Sequence, residues 1–588
     1  MMPSDPIQQI HEHLDVLYGP QIAKEYSKRI LDIFDRYPEI QIHEKSATGS
    51  YELTQKDILL IAYGDIVQEP NQPTLRTLDK FLTNNLDGLI NAVHILPFYP
   101  YSSDDGFSVI DYRQVDPNLG SWEDVRNLAA SKRIMFDAVI NHISQESEWF
   151  KRFLASDPDY RDYFIVPEPD WDFSDLVRPR TSPVLTEFHT NTGKKRVWTT
   201  FSADQIDLNF SNPEVLVEIL DLLVFYVSQG ASLIRLDAIA YLWKESGSPC
   251  IHLEQTHRVV KLMRLILDMT GKDVVVITET NVPHEENISY FGKVDPLTGR
   301  TDEAHMVYQF PLAPLVLHTL MTGSAGPISK WVDSLHESGI FFNFIASHDG
   351  IGVMPAKGLL SEQEVDAIVD QVLAHGGQVS HKSNPDGSQV VYELNTTLFD
   401  ALNDPENPNK NLNIPRFLAS QVILLCLAGV PGIYYHSLFG SRNSLTNLQR
   451  TGRARSINRE KFDLSELENT LDNPGLHQVQ VFSQYKHLLS MRINQAAFHP
   501  QGQQKVFFLE DRVFSLLRTS PDGSSRILTL VNISSDTLKL TIDTQEFGLT
   551  ARGKLEDLIS DSTFEVKNGQ LELSLEPYQA LWIKNTDK

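Results

Sequence analysis

Short apolar runs recur along the chain, and each breaks off in an acid, an amide or a histidine. They are ILLIAYGD (58–65), AVHILPFYP (92–100), RIMFDAVINH (133–142), SLIRLDAIAY (232–241), DVVVITETN (273–281), FFNFIASHD (341–349) and GVPGIYYH (429–436). Unbroken apolar and β-branched stretches of this length read as strands buried on both faces. Between them lie segments with the period of amphipathic helices. In one, Asn212 offers an N-cap, Pro213 the first helical position and Gly230 a stop; Thr256 to Gly271 follows the same style. Alternating strands and helices predict an α/β fold with a parallel sheet, and seven or eight such units predict closure into a (β/α)8 TIM barrel. An open doubly wound sheet is the competing arrangement. Polar residues at the carboxyl end of nearly every strand favour the barrel, which builds its active site there. No G-x-G-x-x-G or P-loop follows any strand, which removes nucleotide binding in its usual forms.

Two spacings are too long for plain loops. Residues 144–210, rich in aromatics, proline and charge, predict an inserted small domain. Residues 350–412 predict a second insertion, with a helix-like SEQEVDAIVDQVLAHGG and a polar loop, HKSNPDGSQ (381–389). A helical N-terminal segment (1–54) then leaves 55–143, 211–349 and 413–500 for the barrel. From 501 to 588 the period changes to two, in KVFFLE, RVFSLLRT, RILTLVNIS, LKLTIDT, LELSL and ALWIK, with turn signals at Asp522-Gly523 and Asn568-Gly569. That pattern predicts a C-terminal antiparallel β domain. The longest apolar stretch, Val422 to Val430, is about half the length needed to cross a bilayer and reads as a buried helix.

Charge narrows the partners. The 588 residues carry 51 Lys and Arg against 77 Asp and Glu, a net charge of −26, which disfavours nucleic acid and anionic membranes. Cys250 and Cys426 are too few for a disulfide framework or a thiolate zinc site. The N-terminus, MMPSDPIQQIHEHLD, lacks the basic and apolar regions of an export signal. The expectation is a cytoplasmic protein acting on small molecules as a monomer or homodimer.

The sharpest constellation of side chains is Arg235-Leu-Asp237, Glu279 and His348-Asp349, each at the end of a predicted strand. Residues two apart on a strand share a face, so Arg235 and Asp237 are expected side by side at the barrel mouth. A guanidinium in ion-pair reach keeps a carboxylate ionised, which suits a nucleophile. Glu279 ends an apolar strand with no cation two residues before it, so desolvation is expected to keep a proton on it, which suits a general acid. Two carboxyls pushed apart in this way are what retaining glycoside cleavage requires, at a separation of roughly 5–5.5 Å. An Arg-x-Asp pair alone is more often an ion pair closing a strand; the combination argues for chemistry.

Asp137-Ala-Val-Ile-Asn141-His142, Ile234-Arg-Leu-Asp237-Ala238, Glu279 and Ser347-His348-Asp349-Gly350 resemble, in order and strand context, the four sequence regions of the α-amylase family, glycoside hydrolase family 13. Tyr63-Gly64-Asp65, LPFYPYSSDDGFSVIDY (96–112), RPR (178–180), FSADQIDLN (201–209), SHDGIGV (347–353) and GVPGIYYH narrow the resemblance to its sucrose phosphorylase subfamily, over about residues 55 to 480. The resemblance implies Asp237 as nucleophile, Glu279 as acid/base and Asp349 as the carboxylate that holds sugar hydroxyls. It further implies substrate contacts from His142, His348, Arg235, Gln205 and Tyr241, with Asp65 and Arg455 gripping the far hydroxyls.

A glycosyl-enzyme opened by phosphate needs a cationic pocket beside the anomeric carbon. Arg180 is the first candidate, with His381 and Lys382 as further ones. The resemblance implies reversible phosphorolysis of an α-glucoside to α-D-glucose 1-phosphate, with inorganic phosphate as co-substrate and neither metal nor organic cofactor. The acceptor side looks like that of glucosylglycerol and glucosylglycerate phosphorylases. The loop supplies one cation at Lys382-Ser383 rather than a basic pair, which leans toward neutral glycerol over anionic glycerate. A sucrose or sucrose 6'-phosphate phosphorylase, and a hydrolase or transglucosidase with the same carboxylates, are the alternatives.

Overall fold

Eight parallel strands close into a barrel in the computed structural model, which describes residues 5–42, 53–295, 300–335, 339–383, 388–407 and 410–586. In chain order they are Leu59–Ala62, Ala92–Ile95, Arg133–Ala138, Ala231–Leu236, Val275–Thr278, Met306–Tyr308, Ile340–Asn343 and Val430–Tyr434. Each pairs with its sequence neighbour, and the last pairs with the first through Leu59 and Gly432. Seven coincide with the apolar runs read from the sequence. The sixth, Met306–Tyr308, was not anticipated, because three residues give no measurable periodicity.

Register places the chemistry. Asp137 pairs with Arg235 across strands three and four, and Arg235 pairs with Ile277 across strands four and five. Laterally paired residues share a face and alternate residues repeat it, so Asp137, Arg235, Asp237 and Glu279 all turn toward the barrel mouth.

The helix Pro213–Ser228 starts as expected, its Asn212 side chain accepting from the Glu214 N–H, and the next begins slightly early, as Glu254–Met269. The N-terminal helices Pro6–Tyr18 and Pro20–Leu31 dock against these two. Arg29 forks onto Glu214 with two bonds of 2.6 Å, and the Tyr18 hydroxyl donates to the Phe210 carbonyl at 2.7 Å. The apolar run Val422 to Val430 is not one buried helix. The helix Asn413–Cys426 ends inside it and the last barrel strand starts at Val430.

The first long spacing holds the helix Glu148–Leu154 and the hairpin Leu185–Thr190 with Gly193–Trp198. Its two ends are zipped by an antiparallel pair, His142–Ser144 with Gln205–Asp207. The second holds the helix Glu362–Ala374 and a sheet in the order Ile351–Gly352, Gln389–Asn395, Gln378–Ser383. The C-terminal region is antiparallel throughout. Besides the predicted strands it contains Gly553–Asp557 and Thr563–Val566, which complete a six-stranded sheet. Arg518 from this sheet donates to the Cys426 carbonyl at 2.9 Å, and Arg492 to that of Leu425 at 2.9 Å, so two buried arginines satisfy a helix C-terminus and Arg518 ties the sheet to the barrel.

Candidate active site

The fourth barrel strand delivers Arg235 and Asp237 and then turns at Ala238, which takes the left-handed φ of 48°. A non-glycine residue held there is strained, and such strain gathers at functional sites. Arg235 Nη1 bonds Asp237 Oδ1 at 2.6 Å and Asp137 Oδ1 at 2.7 Å, while Nη2 lies 3.8 Å from Glu279 Oε2. The Ala238 N–H donates to that same Oε2 at 3.0 Å. Asp237 and Glu279 therefore face one another around a single guanidinium, itself flanked by the rings of Phe107 and Tyr308 at 5.7 and 5.5 Å. The absence of a cation two residues before Glu279 had suggested an uncharged setting. Arg235 arrives instead from the neighbouring strand.

The carboxyls divide as follows. Burial opposes ionisation of Asp137, but Arg235 and His94 outweigh it and hold this carboxyl below its usual range. Burial raises Glu279, with Arg235 opposing and Asp349 adding to the rise. Asp237 departs from expectation: burial pushes it well up, and Asp137 and Glu279 add to this against the pull of Arg235. Its cation is shared, which the Arg-x-Asp spacing could not reveal. Asp237 and Glu279 thus compete for a proton. The 2.6 Å contact to Arg235, against 3.8 Å for Glu279, favours Asp237 as the anion and Glu279 as the proton carrier.

Asp349 stands opposite. Burial works against its charge, yet the Arg455 and Arg459 guanidiniums overrule it and leave the carboxyl far below its usual range. Arg455 Nη1 bonds Asp349 Oδ1 at 2.7 Å, Arg459 Nη2 is 3.8 Å away, and His348 Nε2 is 3.4 Å from Oδ2. Burial lowers the pKa values of His348 and His142, so both imidazoles are neutral near pH 7. His348 stacks on Phe107, and its Nδ1 is buried without a hydrogen-bond partner among the described residues. His142 Nε2 lies 2.8 Å from the Phe107 carbonyl, which also accepts from Gln205 at 3.0 Å. His142 is therefore satisfied by protein groups.

Ten of the thirteen expected site residues line one cavity that opens to solvent: Asp237, Glu279, Asp349, His142, Arg235, His348, Arg455, Gln205, Tyr241 and Arg180. Arg180 comes from the first insertion, with its guanidinium 5.8 Å from the Phe201 ring and 5.5 Å from that of Tyr392. Three expected residues lie elsewhere. Asp65 pairs with Lys461 outside the cavity lining, and the loop after the second strand supplies an acid to the lining instead. That loop brings Asp104, a lining residue at φ 53° that sequence reading passed over although it lies in SSDDG. His381 and Lys382 belong to the strand Gln378–Ser383 rather than a loop, and neither lines the cavity; residues 384–387 of the expected loop lie outside the described ones. Tyr392 and Glu393 of the adjacent strand line it instead.

The family model described as alpha amylase, catalytic domain, matches residues 85–354. A glucosylglycerate phosphorylase of Spirochaeta thermophila is 43% identical over 98% of this chain and 99% of its own. The chain belongs to the α-amylase family, glycoside hydrolase family 13. A glucosylglycerate phosphorylase of Allomeiothermus silvanus is 49% identical over 85% of this chain and 88% of that one. Sucrose and glucosylglycerol phosphorylases match at lower identity, so the chain falls in the phosphorylase branch of the family. Among solved structures, sucrose 6F-phosphate phosphorylase from Thermoanaerobacter thermosaccharolyticum has a TM-score of 0.70, covering 82% of this chain and 96% of its own at 24% identity. That likeness reports a shared fold.

Proposed function

We propose that the protein is a retaining glucosylglycerate phosphorylase, converting the glucoside and inorganic phosphate to α-D-glucose 1-phosphate and glycerate. The observation that carries the reading is the pair Asp237 and Glu279 around Arg235, one held by a 2.6 Å charge-assisted bond and the other at 3.8 Å. Asp237 attacks the anomeric carbon as the glycosidic C–O bond breaks, and Glu279 gives its proton to the departing glycerate oxygen. A phosphate oxygen then attacks the same carbon, the Asp237 ester breaks, and Glu279 takes up the proton that the phosphate releases. Two inversions leave the product α. Asp349, held by Arg455, and Asp104 receive sugar hydroxyls, and the unpartnered Nδ1 of His348 supplies another polar contact.

Of the acceptors that the sequence left open, the relatives favour glycerate over the glycerol toward which Lys382-Ser383 leaned. The physical reason is that the loop was the wrong place to count charge. Arg180, in the cavity, offers a planar fork to a carboxylate or a phosphate, whereas Lys382 lies off it. Glycerate and phosphate leave or attack at the same face of the anomeric carbon, so one cation serves both in turn. Incubation of glucosylglycerate with and without phosphate tests the reading. Glucose 1-phosphate forming only with phosphate supports it, and free glucose as the sole product in both arms contradicts it.

A further inference from the structure

Glu393 is a buried carboxylate that the mechanism above does not use. It is 3% exposed, and it lines the cavity from the strand Gln389–Asn395 of the second insertion. Its oxygens accept from both edges of the Arg455 fork, Nη2 to Oε1 at 2.6 Å and Nε to Oε2 at 3.1 Å. The remaining arm of Arg455, Nη1, holds Asp349 at 2.7 Å. Arg455 is thereby fixed between three separate pieces of chain: the turn after the seventh strand, the second insertion, and its own segment Ala454–Asn458 beyond the eighth.

Backbone contacts set Glu393 in this place. Its strand pairs with Ile351–Gly352 and passes Gly350 so closely that a Cβ there would stand 2.9 Å from Glu393 Cβ and 2.9 Å from the Leu394 carbonyl. Only glycine at the residue after Asp349 lets the insertion close down on the catalytic turn. Successive strand residues point to opposite sides, and this strand uses both: Tyr392 meets Arg180 at 5.5 Å, and Glu393 meets Arg455. Arg180 and Arg455, two of the three arginines that line the cavity, are therefore treated differently. Arg180 faces aromatic rings, and its fork has no hydrogen bond among the described residues. The fork of Arg455 is filled by a carboxylate, the group whose geometry a phosphate or a glycerate would reproduce.

We propose that Glu393 is a positioning residue that clamps Arg455 against Asp349 and occupies its fork, so that anions bind beside Arg180 and are kept out of the glucosyl subsite. The proposal rests on the phosphorolytic reading, and a wild-type protein without phosphate-dependent turnover contradicts that reading before Glu393 is touched. With turnover established, initial rates are measured against phosphate and against the α-glucoside for Glu393→Gln and Glu393→Asp. In Glu393→Gln, kcat/KM for the glucoside is expected to fall about tenfold to a hundredfold, the worth of a hydrogen bond to a charged group. Phosphate is expected only to saturate the wild type, and to become an inhibitor competitive with the glucoside in this variant. Glu393→Asp keeps the charge, so its kcat/KM falls while its phosphate dependence stays hyperbolic. An unchanged phosphate curve in Glu393→Gln, or equal phosphate inhibition in both variants, overturns the proposal. If Glu393→Gln does not fold, Glu393→Asp decides alone: lowered kcat/KM with hyperbolic phosphate dependence supports the clamp, and wild-type kinetics or new phosphate inhibition overturns it.

Discussion

The backbone N–H of Ala238 donates to Glu279 Oε2 across 3.0 Å, so the residue that follows the proposed nucleophile holds the proposed acid. Acid and nucleophile are thereby indexed to one strand end, and the left-handed turn at Ala238 is what aims that N–H across the site.

Replacing Asp237 by Asn is expected to lower kcat by about four orders of magnitude or more, the scale of losing a nucleophile. The same change is expected to raise Tm at pH 7. Burial raises the folded-state pKa of Asp237, so its contribution to stability is present at low pH and is lost as pH rises through that pKa. The stabilising effect of Asp237→Asn should accordingly shrink toward pH 4. Thermal unfolding of both proteins across that range checks it, and a variant less stable than wild type at pH 7 contradicts the electrostatic account.

Glu279→Gln is expected to slow phosphorolysis by about a hundredfold to ten-thousandfold, the usual share of general acid catalysis. Because burial raises the Glu279 pKa, wild-type kcat for the glucoside should fall as pH rises through it, and that limb should vanish in the variant. The loss should be smaller for exchange of phosphate into glucose 1-phosphate, since phosphate departs with little need of a proton. Equal losses in both reactions would remove Glu279 from the acid role.

Arg180→Ala is expected to raise the KM for phosphate about tenfold or more, and that for glycerate in the synthetic direction similarly, with a smaller effect on the glucosyl donor. Lys382→Ala, outside the cavity lining, should stay within about twofold of wild type. Steady-state kinetics on both variants would expose a reversed order.

Asp104→Ala is expected to raise the KM of the glucoside and of glucose 1-phosphate together, because it lines the cavity within electrostatic reach of Arg455. Asp65→Ala breaks only the half-exposed pair with Lys461, worth at most about 1 kcal/mol of stability, and should leave both constants near wild type.

The contrast between Asp65 and Asp104 shows what the sequence could convey. Asp65 closes an apolar run, where a barrel strand advertises its own end, and the seven long strands were legible for the same reason. Asp104 lies in a loop at positive φ, where neither period nor strand boundary marks which of two adjacent acids turns inward. Met306–Tyr308 was too short to show its strand. Arg235 and Asp237 were legible as neighbours because they lie two apart on one strand. The sharing of Arg235 with Asp137, which shifts Asp237 upward, depends on register between strands and is invisible to spacing along the chain. Glu393 was hidden similarly, its meaning supplied by Arg455 from 62 positions away.

A covalent relay through Asp237 is tested most directly by mixing the protein with α-D-glucose 1-phosphate and isotopically labelled inorganic phosphate, with no acceptor present. Double displacement predicts that label enters glucose 1-phosphate, and that the exchange disappears in Asp237→Asn. Glucose 1-phosphate that stays unlabelled while the same preparation turns over glucosylglycerate and phosphate would contradict it.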